Sequence, residues 1–168
     1  DIGIQLRLGT AVREIVPGEE CKCEVHFTDG GPNEVVDYVA SCVGVRPNMP
    51  FIDRQQVKTD RGILVDTHLR TSCLDLYAAG DVAQGNDILI DGKRIIGLWA
   101  NARMQGKTAG MNMAGLDREY IGSLPHNITH FMDMDFVGIG DVAHGDREFH
   151  FEDKSNRTLC HLTWTENR

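Results

Sequence analysis

Thr71-Ser72-Cys73-Leu74-Asp75-Leu76-Tyr77-Ala78-Ala79-Gly80-Asp81 is the stretch on which the reading of this chain turns. A threonine-led turn runs into an apolar segment, Leu74 to Ala79, expected to be a strand that closes on Gly-Asp. A glycine at a strand end lets the backbone come close to a phosphate or a polyol chain, because no Cβ stands in the way. A carboxylate one residue further on accepts hydrogen bonds from hydroxyl groups. The same dipeptide is also a common chain reversal, so by itself the segment serves either a ligand contact or a structural turn.

Three other elements stand around it. Upstream, Val36-Asp37-Tyr38-Val39-Ala40-Ser41-Cys42-Val43 is mostly apolar and ends at Gly44-Val45-Arg46-Pro47-Asn48. Pro47 holds Arg46 extended and gives no donor to a ladder, which suits a crossing between structural units. Between the two, Gly62-Ile63-Leu64-Val65-Asp66 and Leu69-Arg70-Thr71-Ser72 read as a linking hairpin. Downstream, Trp99 to Met113 reads as a helix, with Ala102, Gly106 and Gly110 at spacing four for close approach to a neighbouring backbone and Gly115 as its stop.

The remaining chain is strand-like. Ile4, Leu6 and Leu8 alternate with polar residues, and Val12 to Val16, Cys23 to Phe27 and Val35 to Val43 complete an expected antiparallel meander around the turn at Asp29-Gly30-Gly31-Pro32-Asn33. After Leu124-Pro125, four short strands are expected at Ile128 to Phe131, Asp135 to Gly140, Arg147 to Glu152 and Thr158 to Thr165.

In this order and spacing the four elements resemble the second FAD fingerprint and its flanks in the pyridine nucleotide-disulfide oxidoreductase superfamily of FAD-dependent enzymes, over roughly residues 1 to 140. The resemblance implies an α/β to α+β fold, part of a two-dinucleotide-binding-domain flavoprotein. Residues 1–48 would end an NAD(P)-binding domain as a β-meander and return strand. Residues 49–118 would form the C-terminal part of an FAD-binding domain, and residues 119–168 the start of a β-rich C-terminal domain. It implies that Gly80 and Asp81 contact FAD, and that the helix beginning at Trp99, Ala100 and Asn101 faces the flavin ring. A helix N-terminus carries about half a positive charge and unsatisfied N–H groups, which would favour the anionic reduced flavin. Trp99 reads equally well as a packed anchor, and Arg103 and Lys107 as a solvated helix face. The wording of the helix is similar to the branch holding nitrite reductase flavin subunits, rubredoxin reductases and NADH oxidases. Such an enzyme passes a hydride from NADH or NADPH to FAD and electrons on to an acceptor, here unspecified. No catalytic side chain is expected, since the chemistry belongs to the cofactors and the protein orients them.

Other residues narrow the reading. No G-x-G-x-x-G occurs, and Gly138-Ile139-Gly140-Asp141 has only part of that spacing and no following helix. The phosphate loops of the family, and its C-x4-C redox pair, would therefore lie before residue 1. The chain starts without Met in a strand-like segment and ends just after another, as expected of a piece of a longer protein that is inactive alone and self-associates through surfaces left by missing domains. A net charge of −8, from 17 basic and 25 acidic residues, would repel a nucleic-acid backbone. No apolar run is long enough to span a bilayer, and no signal peptide is evident, so a cytoplasmic setting is expected. Of the five cysteines, Cys21 and Cys23 are expected on one strand without a disulfide, and Cys42 and Cys73 as buried or half-buried small hydrophobes. No metal site is expected: His126 and His130 share a strand-like segment, and His144, His150 and His161 are scattered over the β-rich tail. The competing reading is a non-enzymatic β-rich interaction or regulatory module that keeps flavoprotein-like sequence. It predicts Asp81 facing solvent or a salt bridge, whereas the flavoprotein reading predicts exposed apolar surface.

Overall fold

The computed structural model describes residues 3–141 and 145–166. The chain divides into two units, Asp1–Val45 and Arg46–Arg168, each treated separately.

In the first unit, β1 (Val12–Pro17), β2 (Cys23–Phe27) and β3 (Glu34–Val36) form an antiparallel sheet in that order. Ile15 pairs with Val25 and Cys23 with Val36, which puts the buried Val25 at the middle of the sheet. The Arg7 guanidinium stacks 4.0 Å above the Phe27 ring and reaches the Glu34 carboxylate at 3.3 Å. Three expectations need correction. Ile4 to Leu8 is not a strand and its apolar side chains are exposed, because alternation makes a strand only where a ladder partner exists, and none of the described strands pairs with it. The strand expected over Val35 to Val43 stops at Val36; beyond it the backbone has no described partner, and Val43 and Cys42 are exposed. Cys21 does not share a strand with Cys23 but ends a 3-10 turn, Glu19–Cys21, in which Glu20 and Cys21 are left-handed.

The second unit is built on a short mixed sheet. β4 (Ile63–Leu64) runs parallel to β5 (Ala83–Asn86), and β5 pairs antiparallel with β6 (Lys93–Arg94). One face packs into a cluster of Met49, Val57, Ile63, Val65, Leu69, Ala78, Ala83, Ala109 and Tyr120. A parallel pair needs a crossover, and the crossover here is the loop from Asp66 through Val82. Asp66 Oδ1 accepts from the N–H groups of His68 and Arg70 at 2.8 and 2.9 Å, a local turn that delivers Leu69 into the core.

Leu74 to Ala79 is not a strand. Thr71 N–H donates to the Leu76 carbonyl at 2.9 Å, Asp75 is left-handed, and Leu74 is 88% exposed, so the segment curls. The only ladder-like contacts described are the Arg70–Tyr77 bridge and the Ala78 N–H bond to the Leu69 carbonyl. An apolar run reads the same on a strand and on a loop that buries every second or third side chain, and the left-handed Asp75 decides between them.

The helix α1 spans Trp99–Met113. It ends in a Schellman arrangement: Gly115 has φ +85°, its N–H donates to the Asn112 carbonyl, and the Leu116 N–H donates to the Met111 carbonyl. The small-residue face is corrected. Gly106 and Gly110 are exposed, and a methyl group at either position would meet no described atom within 4 Å. The buried stripe is Asn101, Gln105, Ala109 and Asn112, so the helix is held mainly by amides rather than by apolar packing. Asn112 alone makes three bonds, donating to the His68 and Arg118 carbonyls and accepting from the Arg118 N–H, each at 2.8 Å.

Two hairpins follow, β7 (His126–Phe131) with β8 (Met134–Ile139) and β9 (Arg147–Asp153) with β10 (Thr158–Trp164). Met132 and Asp133, both at positive φ, form the two-residue reversal whose twist suits a tight hairpin. His126 and His130 lie on β7 as expected, with His130 Nδ1 2.8 Å from Asp135. His150 and His161 are exposed, and His144 lies outside the described residues. In the loop joining β9 to β10, the Asp153 carboxylate accepts from the Ser155 hydroxyl and the Asn156 amide, and from both backbone N–H groups. Those bonds pull its pKa down to about 2, the Ser155 hydroxyl acting most strongly. The depressed value means that the loop gains stability from the ionised carboxylate above the ordinary carboxylate range and loses it as pH falls through about 2. The carboxyl carbon shift of Asp153 followed by NMR is expected to titrate near that value, and a midpoint in the ordinary range would contradict the loop geometry.

Candidate cofactor site

The Gly80–Asp81 segment forms the start of a 3-10 turn, Gly80–Val82, that leads directly into β5. Gly80 sits at φ +80°, a conformation that costs an L-residue roughly 1–2 kcal/mol, and its N–H is held at 2.8 Å by Oε1 of Gln105. Asp81 is exposed. Its carboxylate lies against the backbone at Gly97, both oxygens 3.8 Å from where a Cβ would be.

Gly97 belongs to the segment Ile95–Leu98 that leads into α1, and it is the centre of a tight turn in which the Leu98 N–H donates to the Ile96 carbonyl at 2.9 Å. Leu98, the N-cap residue, is extended and provides no side-chain cap. The first-turn N–H groups of Trp99, Ala100 and Asn101 therefore lack the usual side-chain acceptor, and the positive end of the helix is open to an anion. Trp99 is 79% exposed, with the Arg103 guanidinium 5.7 Å over its ring, so it does not serve as a core anchor of this chain. Ala100 is exposed. Asn101 is turned the other way: its side chain is buried, donates to the Ile96 carbonyl at 2.9 Å and accepts from the Tyr120 hydroxyl at 2.6 Å. At 2% exposure the residue as a whole shows almost no surface in this chain.

On the other side of Ile95–Leu98 lies an apolar cleft of about 340 Å³, closed opposite by Pro125–Asn127 and Gly138–Gly140. The structure thus brings Gly80, Asp81 and the start of α1 to one place, with Gly97 between them. Sequence reasoning missed Gly97, Gln105 and Tyr120. A signal for Gln105 was present, since Asn101, Gln105 and Asn112 recur at helical spacing on one stripe. A stripe of amides is not the apolar pattern by which a buried face is usually recognised.

An accessible carboxylate, a glycine at positive φ and an uncapped helix start lie together here, groups of the kind that can meet hydroxyl and anionic parts of a ligand. Residues 1–106 match the pyridine nucleotide-disulphide oxidoreductase family, and the chain belongs to that family. It is 38% identical over 121 residues to NADH-rubredoxin oxidoreductase of Clostridium acetobutylicum, covering 69% of this chain and 30% of that protein. It is 31% identical over 142 residues to an NADH oxidase of Methanocaldococcus jannaschii, covering 84% of this chain and 31% of that protein. The crystal structure of the Clostridium acetobutylicum NADH:rubredoxin oxidoreductase superposes with a TM-score of 0.62 at 32% identity, over 76% of this chain and 32% of that one. A ferredoxin reductase from Rhodopseudomonas palustris shares the fold more fully, with a TM-score of 0.83 at 24% identity over 98% of this chain and 40% of that one. The chain therefore spans about a third of the length of the relatives it matches.

Proposed function

We propose that this chain is part of an NAD(P)H-dependent flavoprotein oxidoreductase and supplies one wall of its FAD site. The observation that carries the reading is the convergence of Gly80, Asp81 and the uncapped start of α1 around Gly97 in a member of this family. These residues fit the cofactor: the Asp81 carboxylate accepts from ribityl hydroxyls, Gly80 allows close approach, and the N–H groups of Trp99, Ala100 and Asn101 present positive potential to the ring. When bound, FAD supplies the chemistry that takes a hydride from NADH or NADPH and passes electrons to an acceptor. The chain's own part is to hold and orient, so no proton-transferring side chain is required of it.

In the same reading residues 1–48 close an NAD(P)-binding domain, residues 49–118 belong to the FAD-binding domain and residues 119–168 begin a C-terminal domain. The segment alone is inactive, because it has no glycine-rich phosphate loop. Asp81 is exposed, as the interaction module predicts, but a carboxylate that binds a ligand must also be reachable from outside, so its exposure does not separate the two readings. The apolar side chains left exposed at Ile4, Leu6, Leu8, Val43, Val45 and Trp99 support the flavoprotein reading and a tendency of the isolated segment to self-associate. Named acceptors of relatives, such as rubredoxin, indicate a small redox protein as the partner class to try first. The full-length protein, desalted after incubation with FAD, is expected to retain flavin in about one-to-one ratio. A full-length protein that emerges without flavin would remove the reading.

A further inference from the structure

Gln105 and Tyr120 touch no part of the candidate site through solvent, yet both are almost wholly buried, at 2% and 3% exposure. Each is hydrogen-bonded toward one of the two backbone segments bounding that site, and the two side chains pack together beside Gly85. The Gly80 N–H donates to Gln105 Oε1 at 2.8 Å. The Gln105 amide nitrogen and the Tyr120 ring meet beside Gly85, each 3.6 Å from where a Cβ would stand there. Tyr120 donates to Asn101 Oδ1 at 2.6 Å, and Asn101 Nδ2 donates to the Ile96 carbonyl at 2.9 Å, one residue before Gly97. Tyr120 and Asn101 donate in the same direction, so the first of these bonds polarises the second.

Such a buried polar cluster is not needed for stability, because apolar side chains of the same shape fill a core about as well as a satisfied polar pair. What it adds is direction. Glycine at positive φ is the least constrained residue of the backbone, and the Gln105 carbonyl fixes which way the Gly80 peptide points. The peptide that follows carries Asp81. Burial holds the Tyr120 phenol above its ordinary pKa, with the amides of Gln105 and Asn101 opposing, so the hydroxyl remains a donor through the neutral range.

We propose that Gln105 is a positioning residue for the cofactor contact, holding the Gly80–Asp81 turn to α1, with Tyr120 packed beside it and fixing the Ile96–Gly97 segment through Asn101. The inference rests on the flavin reading above. It is tested in the full-length flavoprotein by measuring FAD dissociation constants for Gln105→Met, Tyr120→Phe, Asp81→Ala and the double variant Gln105→Met with Asp81→Ala. Gln105→Met is expected to weaken FAD about tenfold and Tyr120→Phe about threefold, the size of one buried hydrogen bond lost at the Gly80 turn and one lost at Asn101 behind Ile96. Because Gln105 acts through Asp81, the Asp81→Ala change should cost a smaller factor in the Gln105→Met background than in the wild type. A residue that merely stabilised the fold would leave that factor unchanged. Equal factors in the two backgrounds, or an unaltered FAD affinity in both Gln105→Met and Tyr120→Phe, would overturn the proposal while leaving the flavin reading intact. Should Gln105→Met fail to fold, Tyr120→Phe, which keeps the ring in the core, decides it alone. A wild type that binds no FAD would overturn the flavin reading and this inference with it.

Discussion

Leu69→Ala is expected to lower the unfolding free energy by about 3–4 kcal/mol, near the upper part of the range for leucine truncation in a rigid core. Leu69 is fully buried at the centre of the cluster formed by Ile63, Val65, Ala78 and Tyr120. Two features limit collapse around the cavity that alanine would leave. The Leu69 backbone is pinned, its N–H donating to the Asp66 carbonyl and its own carbonyl accepting from Ala78. It also sits at φ +63°, a left-handed conformation that alanine relieves no better than leucine does. Urea denaturation of the full-length protein measures the change. Leu74→Ala provides the control, since that side chain is exposed and a change within about 0.5 kcal/mol is expected. Equal effects at the two positions would mean that Leu74 to Ala79 packs as the strand its sequence suggests and that the loop geometry is wrong.

Asp81→Ala in the full-length protein is expected to weaken FAD binding by about 10- to 100-fold, because hydrogen bonds to a charged acceptor contribute about 1.5–3 kcal/mol each. The carboxylate is exposed, so the substitution leaves no buried group unpaired and the fold is not threatened. The loss should therefore appear as a raised dissociation constant with an unchanged unfolding midpoint of the apoprotein. Asp81→Asn, which keeps an acceptor oxygen but not the charge, is expected to fall between the two. Unchanged FAD affinity in Asp81→Ala would reduce Gly80–Asp81 to a chain reversal.

The sequence was most legible where one physical rule acts alone. Trp99 to Met113 was legible as a helix because its small residues recur at spacing four ahead of Gly115, a glycine that a left-handed stop requires, and the Schellman bonds at Gly115 and Leu116 follow from that glycine. The hairpins after Pro125 were legible from alternation and polar turns. Reading failed where pairing depends on a distant partner. Ile4 to Leu8 and Asp37 to Val43 lie in segments of strand composition but have no ladder among the described residues, and composition cannot provide one. The Leu74 to Ala79 error has a different origin: apolar residues mark burial or proximity to the core, and a single left-handed Asp75 converts the strand into a loop.

For the site, Gly80, Asp81 and the helix start were legible as separate features, because each is contiguous in sequence. Their meeting at Gly97 was not, since a glycine between two apolar residues carries no mark of the carboxylate that lies against it. Asn101 was assigned by its place in the first turn, and only the fold reveals that it is buried and that its side chain serves Ile96 and Tyr120.

Whether the full-length protein works as a flavin reductase is read from its absorbance under anaerobic NADH addition. A visible flavin spectrum that bleaches on adding NADH, or NADPH, is the predicted result. A protein that stays colourless after incubation with FAD, or holds a flavin that neither nucleotide reduces, would contradict the flavin-reductase reading.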